Sequence, residues 1–301
     1  MIQSIKITNP LDESLELILS EPEKSGFIIR SVEGLGPVKA DVHMTELATL
    51  DGSIDNSARL GTRNIVFSLL FLGTPTIEDT RLKSYRYWPI KQNVKIEITT
   101  DNRKCYTIGR VESNIPNIFD KDEGCQISVL CPNSYFMASE ETSINFYAQD
   151  PAFEFPFENN SLTAKMIEFG HIIKNMNYSI LYTGDAETGF IMEIHSLGPV
   201  TGLGIYRFDS SEKMVISDTK LRNITGSTIG SGDTIYINTN KGSKSVHLLK
   251  NGIYYNILNA IEAPISWFQI KRGDNGFNIS TETGSEYLQY RVDYNVLYEG
   301  V

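Results

Sequence analysis

Arg63-Asn-Ile-Val-Phe-Ser-Leu-Leu-Phe-Leu-Gly73, Thr74-Pro-Thr-Ile-Glu-Asp-Thr-Arg-Leu-Lys-Ser-Tyr-Arg-Tyr-Trp-Pro89 and Val94-Lys-Ile-Glu-Ile-Thr-Thr100 form one continuous argument about the fold. The first run is an apolar block with polar residues at its entry, the pattern of a buried strand. The third alternates apolar and polar residues, the pattern of a half-buried strand. Between them lies a helix of one to three turns with legible ends. Thr76 is positioned as its N-cap, with Asp79 three residues on. Glu78 and Asp79 sit where the helix dipole favours negative charge. Pro89 stops the helix by pushing Trp88 out of the helical region. Leu82, Tyr85 and Trp88 are the expected apolar face. The stretch carries no chemistry; it reads as scaffold.

The same reading extends outward. Gln3–Thr8, Leu15–Leu19 and Gly26–Gly34 are expected strands, the last ended by Gly34-Leu-Gly-Pro37. That glycine–proline cluster lacks the Lys-Ser/Thr of a phosphate loop and precedes no helix pattern. Lys39–Thr45 alternates weakly, and residues 49–58 read as a polar loop. Lys104–Ser113 and Gly124–Cys131 are further strands. The stretch 138–160 is polar, aromatic and irregular, with Pro151 and Pro156, and is read as a linker; Phe153, Phe155 and Phe157 alternate within it as an edge strand would. From residue 161 onward short strands recur about every ten residues with turns between them, as in a β-sandwich. Strands are expected at 178–183, 190–195, 204–208, 213–217, 234–238, 245–249, 267–271, 277–281 and 287–298, with turns at Asn240-Lys-Gly242, Lys250-Asn-Gly252 and Gly273-Asp-Asn-Gly276.

Composition narrows the function. A length of 301 residues gives two domains as the first expectation. The net charge of −10 and the lack of any Lys/Arg cluster argue against a nucleic-acid partner. The longest apolar run, Ile65–Leu72, is far below the ~20 residues needed to span a bilayer, so no membrane anchor is expected. No secretory pattern opens the chain. Three cysteines, Cys105, Cys125 and Cys131, are too few and odd in number for a disulfide scaffold, which fits folding in a reducing cytoplasm. They lie in strand patterns as small core side chains, without the paired spacing of a zinc site.

The sequence offers no catalytic, cofactor-binding or metal-binding residue. His43, His171, His195 and His247 are scattered, and none has a partner at i+4. No nucleophile elbow is present. Asp185 and Glu187 are the best local acid pair for glycoside hydrolysis, but they sit in Gly184-Asp-Ala-Glu-Thr-Gly189, where a turn explains them. Trp88 and Trp267 are the candidate sugar-stacking platforms. For Trp267, the apolar neighbours in Ile265-Ser-Trp-Phe-Gln-Ile270 favour a core role.

The assembled pieces resemble the distal tail proteins of long-tailed bacteriophages, the siphophage tail-component family. The resemblance rests on the Gly34–Pro37 segment, Arg63-x-Ile-x-Phe, the helix with Arg81, Ile98-x-Thr100, Tyr106-x-x-Gly-x-Val111 and Leu130-Cys-Pro-x-x-Tyr-Phe136. In the second half it rests on Gly184-Asp-x-x-Thr-Gly189 followed by Ile194, Gly232-Asp-Thr-Ile-x-Ile-x-Thr239, Ser266-Trp-Phe268 and Tyr298-Glu-Gly-Val301. Asn133-Ser-Tyr135 departs from it where a second proline is expected. The resemblance implies a mainly β, non-enzymatic virion protein of the tail tip, assembled in the host cytoplasm. Residues 1–137 would be a split-barrel-like domain with a short helix that forms a hexameric ring, with 285–301 returning to complete it. Residues 161–301 would be a galectin-like or carbohydrate-binding-module-like β-sandwich. The implied partners are further copies of the chain, the tail tube protein, the tail-associated hub protein and receptor-binding or adaptor proteins; no cofactor is implied. The alternative reading is a carbohydrate-binding tail protein that contacts the host cell wall.

Overall fold

A computed structural model describes residues 1–47, 51–150, 171–174 and 177–301. The chain divides into two compact units, Met1–Glu140 with Leu297–Val301, and Glu141–Val296. Phe153, Phe155 and Phe157 lie outside the described residues.

The first unit is built from β1 (Ile2–Thr8), β2 (Ser14–Ile18), α1 (Pro22–Ser25), β3 (Phe27–Glu33), β4 (Ala40–Glu46), β5 (Ser53–Leu60), β6 (Arg63–Phe71), α2 (Ile77–Tyr87), β7 (Asn93–Thr100), β8 (Lys104–Pro116), β9 (Gly124–Cys131) and β10 (Phe136–Ala138). Its main sheet runs β2-β1-β7-β8-β9-β6-β3, antiparallel throughout. The edge strands β2 and β3 are joined by α1 and approach each other, so the sheet curls into a barrel with one open seam. Period-two alternation sends Ile5, Ile7, Ile65, Phe67, Ile96, Ile98, Ile127 and Val129 into one core. Trp88 closes it, fully buried against Phe27 and Phe67 at ring distances of 5.9 and 6.0 Å. Burying a side chain of this size stabilises by a few kcal/mol.

The helix between the strands is present with the expected cap, but its inner face is not the expected one. Thr76 Oγ1 accepts the Asp79 N–H at 3.1 Å and donates to Asp79 Oδ2 at 2.6 Å. Leu82 and Tyr85 are exposed; the buried positions are Thr80 and Ser84, one turn apart, continued by Trp88. The cause is close approach. A Cβ on Gly26 would stand 3.3 Å from Thr80 Oγ1, so the helix rests on the chain at a spacing that only small side chains allow. Thr80 Oγ1 satisfies itself on the Leu72 carbonyl at 2.6 Å.

The second unit contains β11 (Thr142–Asn145), β12 (Tyr147–Asp150), β13 (His171–Lys174), β14 (Asn177–Tyr182), β15 (Phe190–Ser196), β16 (Gly204–Arg207), β17 (Lys213–Val215), α3 (Asp218–Thr225), β18 (Thr234–Asn238), β19 (Ser245–Lys250), β20 (Ile253–Asn256), β21 (Gly273–Ser280) and β22 (Leu288–Tyr294). A six-stranded sheet, β11-β22-β15-β18-β19-β20, and a four-stranded sheet, β14-β21-β16-β17, enclose one core. β12 pairs with β13 as a separate ribbon.

Four sequence expectations are corrected here. The stretch read as linker supplies β11, because Ile144 packs on the second core while Ser143 and Asn145 face out. Gly273-Asp-Asn-Gly276 is not a turn but the start of β21. Buried Asn275 carries the local hydrogen bonds itself, donating to Lys271 O at 2.6 Å and Gly273 O at 2.9 Å and accepting Lys271 N–H at 2.8 Å. Residues 267–271 form no strand; Ile270 makes only a bridge to Thr188. Of residues 285–301, Leu288–Tyr294 belongs to the sandwich through buried Leu288, Tyr290, Val292 and Tyr294. Only Leu297–Val301 joins the first unit, where β23 (Leu297–Tyr298) pairs with β10.

Candidate functional site

The first candidate surface is the β4–β5 hairpin. Residues 53–58, read from sequence as loop, lie in a strand in register with β4: Val42 opposes Ala58, and Met44 opposes Asp55 after a bulge. The hairpin pairs with no other strand among the described residues. Nearly all of it is exposed, including Val42 (48%), Met44 (60%) and Ile54 (51%). Its polar contacts are internal: Asn56 Nδ2 donates to Thr45 Oγ1 at 2.6 Å, and Arg59 pairs with Asp41 at 3.7 Å. An isolated two-stranded ribbon is at best marginally stable in water. Alternation places Ala40, Val42 and Met44 on one face with Ala58 and Leu60 opposite, an apolar stripe left exposed at Val42 and Met44.

The root of the hairpin is rigid. Arg63, at the start of β6, is 1% exposed and has no carboxylate partner among the described residues. Its guanidinium donates to four backbone carbonyls: Ser134 (from Nε at 3.2 Å and Nη2 at 2.7 Å), Gly36 (2.7 Å), Glu299 (2.7 Å) and Gly34. It also stacks on Phe136 at 4.1 Å. Burial pushes its pKa down, yet a guanidinium stays charged in proteins. Gly34 has φ +82°, and a Cβ there would lie 1.9 Å from the Asn64 carbonyl oxygen, so no other residue fits.

The second candidate surface is the outer face of the six-stranded sheet. Asn145, Arg291, Glu193, Tyr236, His247 and Asn256 stand in one row across it, each directly opposite the next. Arg291 pairs with Glu193 at 2.7 Å and with Asp293 at 3.1 Å. Tyr236, His247 and Tyr254 line an open cleft of about 340 Å³.

No family model matches the chain, and no curated protein does. Solved structures do. The chain is similar to the crystal structure of SPP1 Dit, gp 19.1, described as a paradigm of the hub adsorption apparatus in phages that infect Gram-positive bacteria. The identity is 11% and the TM-score 0.66, over 97% of this chain and 98% of that one. The chain has the distal tail fold. A chain of the phage P2 baseplate in its activated conformation with calcium is also similar, at 13% identity and a TM-score of 0.43 over 97% of this chain and 98% of that one. The resemblance drawn from the sequence motifs therefore holds at the level of the fold, in a mainly β chain.

Within the distal tail fold the residues singled out by sequence fall as follows. Cys105, Cys125 and Cys131 are free and buried in the first core. Burial pushes the Cys105 thiol up to about 11 and Cys125 up to about 12, and raises Cys131, the opposite of a nucleophile or metal ligand. Glu187 pairs with Lys241 at 2.7 Å, which holds its pKa below the ordinary range, opposite to the shift a general acid needs. Trp88 is a core residue and no platform. Trp267 is half-buried against the second core, with Lys244 Nζ 5.5 Å from its ring centre. His43 lies on the exposed hairpin, His195 Nδ1 is 2.9 Å from Thr234 Oγ1, and the His171 side chain is outside the described residues. Among the described residues no group of His, Cys, Asp and Glu could hold a metal, and no helix is long and apolar enough to cross a membrane. Sequence reading placed Tyr236, His247 and Tyr254 in or beside strands but had no means of joining them; the register that does so links β18, β19 and β20.

Proposed function

We propose that this protein is a structural, non-enzymatic component of a long-tailed phage tail tip, in which residues 1–140 and 297–301 build a hexameric ring at the distal end of the tail tube. The ring joins the tube protein to the tail-associated hub protein, and the second unit faces adaptor or receptor-binding proteins. Two things support the reading: the distal tail fold along nearly the whole chain, and the exposed apolar stripe of a hairpin that pairs with no other strand among the described residues. The hairpin carries the proposal. A ribbon of this kind gains its stability by covering its apolar face, and the occupant that recurs in a closed ring is a second copy of the chain. The curled sheet containing β6 and β7 is then the body of the ring, and the hairpin is the arm that reaches the neighbour.

Light scattering on the full chain tests this. A hexameric mass is expected, falling to that of the monomer in the double variant Val42→Asp, Met44→Asp, whose substituted residues touch no core. A monomeric wild-type chain, or a hexamer indifferent to the double substitution, would refute the role of the hairpin. A second reading, a carbohydrate-binding tail protein that contacts the host cell wall, is favoured by one observation, the tyrosine-lined cleft of the second unit.

A further inference from the structure

On the outer face of the six-stranded sheet, register aligns an ion pair with aromatic groups. Directly opposed residues share a face with Cβ atoms ~5 Å apart. The row Asn145–Arg291–Glu193–Tyr236–His247–Asn256 therefore runs the full width of the sheet, about 24 Å at ~4.8 Å per strand. Tyr254, two residues before Asn256 on edge strand β20, points to the same face. Its ring centre is 6.1 Å from that of Tyr236, with the planes tilted by 39°, and it is 64% exposed. The two rings and His247 form a shallow aromatic trough at one end of a polar track.

The chemistry of the track selects its ligand. An apolar peptide would cover the tyrosines but strip water from Glu193, Arg291, His247 and Asn256 without replacing those hydrogen bonds, and each polar group left unpaired opposes binding. An anionic ligand would meet two carboxylates, Glu193 and Asp293, against one cation, Arg291, on a chain of net charge −10. A nucleic acid is disfavoured for the same reason. A neutral sugar ring has what the track lacks. Its C–H face is apolar and flat and can lie on a tyrosine ring, while its hydroxyls both donate and accept. The track offers acceptors at Glu193, donors at Arg291, and groups of both kinds at Asn256, His247 and the tyrosine hydroxyls. The Tyr236 phenol is protonated at neutral pH and so can donate as well as accept. Arg291 is already held by Glu193 and Asp293, so the polar groups are preorganised.

We propose that this face is a binding site for a neutral oligosaccharide, with one sugar ring stacked at Tyr254 and Tyr236 and the following units hydrogen-bonded along His247, Glu193 and Arg291. The inference deepens the carbohydrate-binding reading by giving it a site and a ligand class, and it does not depend on ring formation. It also moves the site away from Trp88 and Trp267.

The test uses the full chain with cellohexaose, chitohexaose and maltohexaose, followed by saturation-transfer difference NMR and calorimetry, beside a glycan array. At least one of these neutral hexasaccharides is expected to bind at millimolar concentration or below, with saturation reaching its ring C–H protons. Tyr254→Ala is expected to weaken binding about tenfold or more, and Tyr254→Phe to retain most of it. Because Tyr254 is largely exposed, the melting temperature of Tyr254→Ala should match wild type. Sugar binding that survives both Tyr254→Ala and Glu193→Gln would overturn this site and leave the carbohydrate reading standing. No binding to the hexasaccharides or to any neutral glycan on the array would overturn both.

Discussion

Replacing Arg63 by Met keeps the length of the side chain and removes its charge and its donors. Five hydrogen bonds to four carbonyls then disappear, along with the stacking on Phe136. Taken singly, hydrogen bonds from a charged donor are worth about 1.5–3 kcal/mol each, but a simple sum overshoots. The folded wild type already bears the desolvation cost of a buried guanidinium, which the substitution relieves. Some of the orphaned carbonyls also regain water once the chain around Glu299 lifts away. Removing one side of a buried charged network typically costs about 3–5 kcal/mol, and we expect a value in that range. At about 2–4 °C per kcal/mol for a unit of this size, melting should fall by on the order of 10 °C. Hydrogen exchange locates the effect. The Val301 amide, bonded to Leu35 O at 3.1 Å, and the amides of β23 should lose protection before the rest of the barrel. Arg63→Lys should recover little, since three donors on a point charge cannot reach four carbonyls spread around a planar fork. A loss below about 1 kcal/mol, or undiminished protection of residues 297–301, would refute the clasp.

Two further outcomes follow from the helix and its neighbours. Thr76→Ala should destabilise by about 1 kcal/mol in chemical denaturation, with Thr76→Ser restoring most of it, because the cap is a single hydroxyl accepting the Asp79 amide. Hydrogen bonds from Arg86 (Nε, 2.7 Å) and Asn9 (2.9 Å) lower the Glu13 carboxyl from its ordinary 4.5 to about 2. A pKa depressed in the folded state gives stability that is complete above the unfolded value and fades as pH falls from 4.5 towards 2. NMR titration of Glu13 should therefore find it ionised at pH 3, and Glu13→Gln should flatten that part of the acid limb; titration near 4.5 would contradict the geometry.

The sequence disclosed most where one face of a strand meets one core. β6, β7 and β15 bury every second residue, and period two is local enough to read. The ends of α2 were legible for the same reason, since Thr76 and Pro89 act on their immediate neighbours. Its inner face was not. Apolar residues mark a helix face only when the helix packs at ordinary spacing, and here Thr80 stands in close contact with Gly26, with buried Ser84 one turn on. Asn275 misled in a related way: Asp-Asn-Gly carries turn chemistry wherever it occurs, and burial of that one amide inside the sandwich converts it into a strand anchor. Arg63 was quoted as part of a motif, but its role depends on carbonyls at residues 34, 36, 134 and 299, and nothing local announces them.

The second strand of the hairpin is the most instructive failure, because the reason residues 53–58 were read as loop is also the argument for the hairpin's function. Ser53-Ile-Asp-Asn-Ser-Ala-Arg-Leu60 lacks a clean alternation because no part of it enters the core of its own chain. A strand inside a domain reveals itself through the surface it buries there. A strand that buries its surface on a neighbour shows only a weak pattern, and β4 and β5 show one: Ala40, Val42 and Met44 against Ala58 and Leu60. Local and global signals that disagree are expected where a sequence serves assembly and not only its own fold. The same reasoning applies to the track on the second unit, whose outward positions are polar as any solvated sheet face would be. What sets it apart is the register that aligns an ion pair with Tyr236 and His247 and brings Tyr254 alongside. That information belongs to pairings between strands far apart in sequence, and it is carried by the core beneath: Val292, Met192, Ile237 and Val246 stand opposite one another on the inner face. A one-residue slip of β18 would move Tyr236 into the core and Ile237 out to solvent. The packing that stabilises the sandwich thus also fixes the geometry of the face proposed to bind sugar.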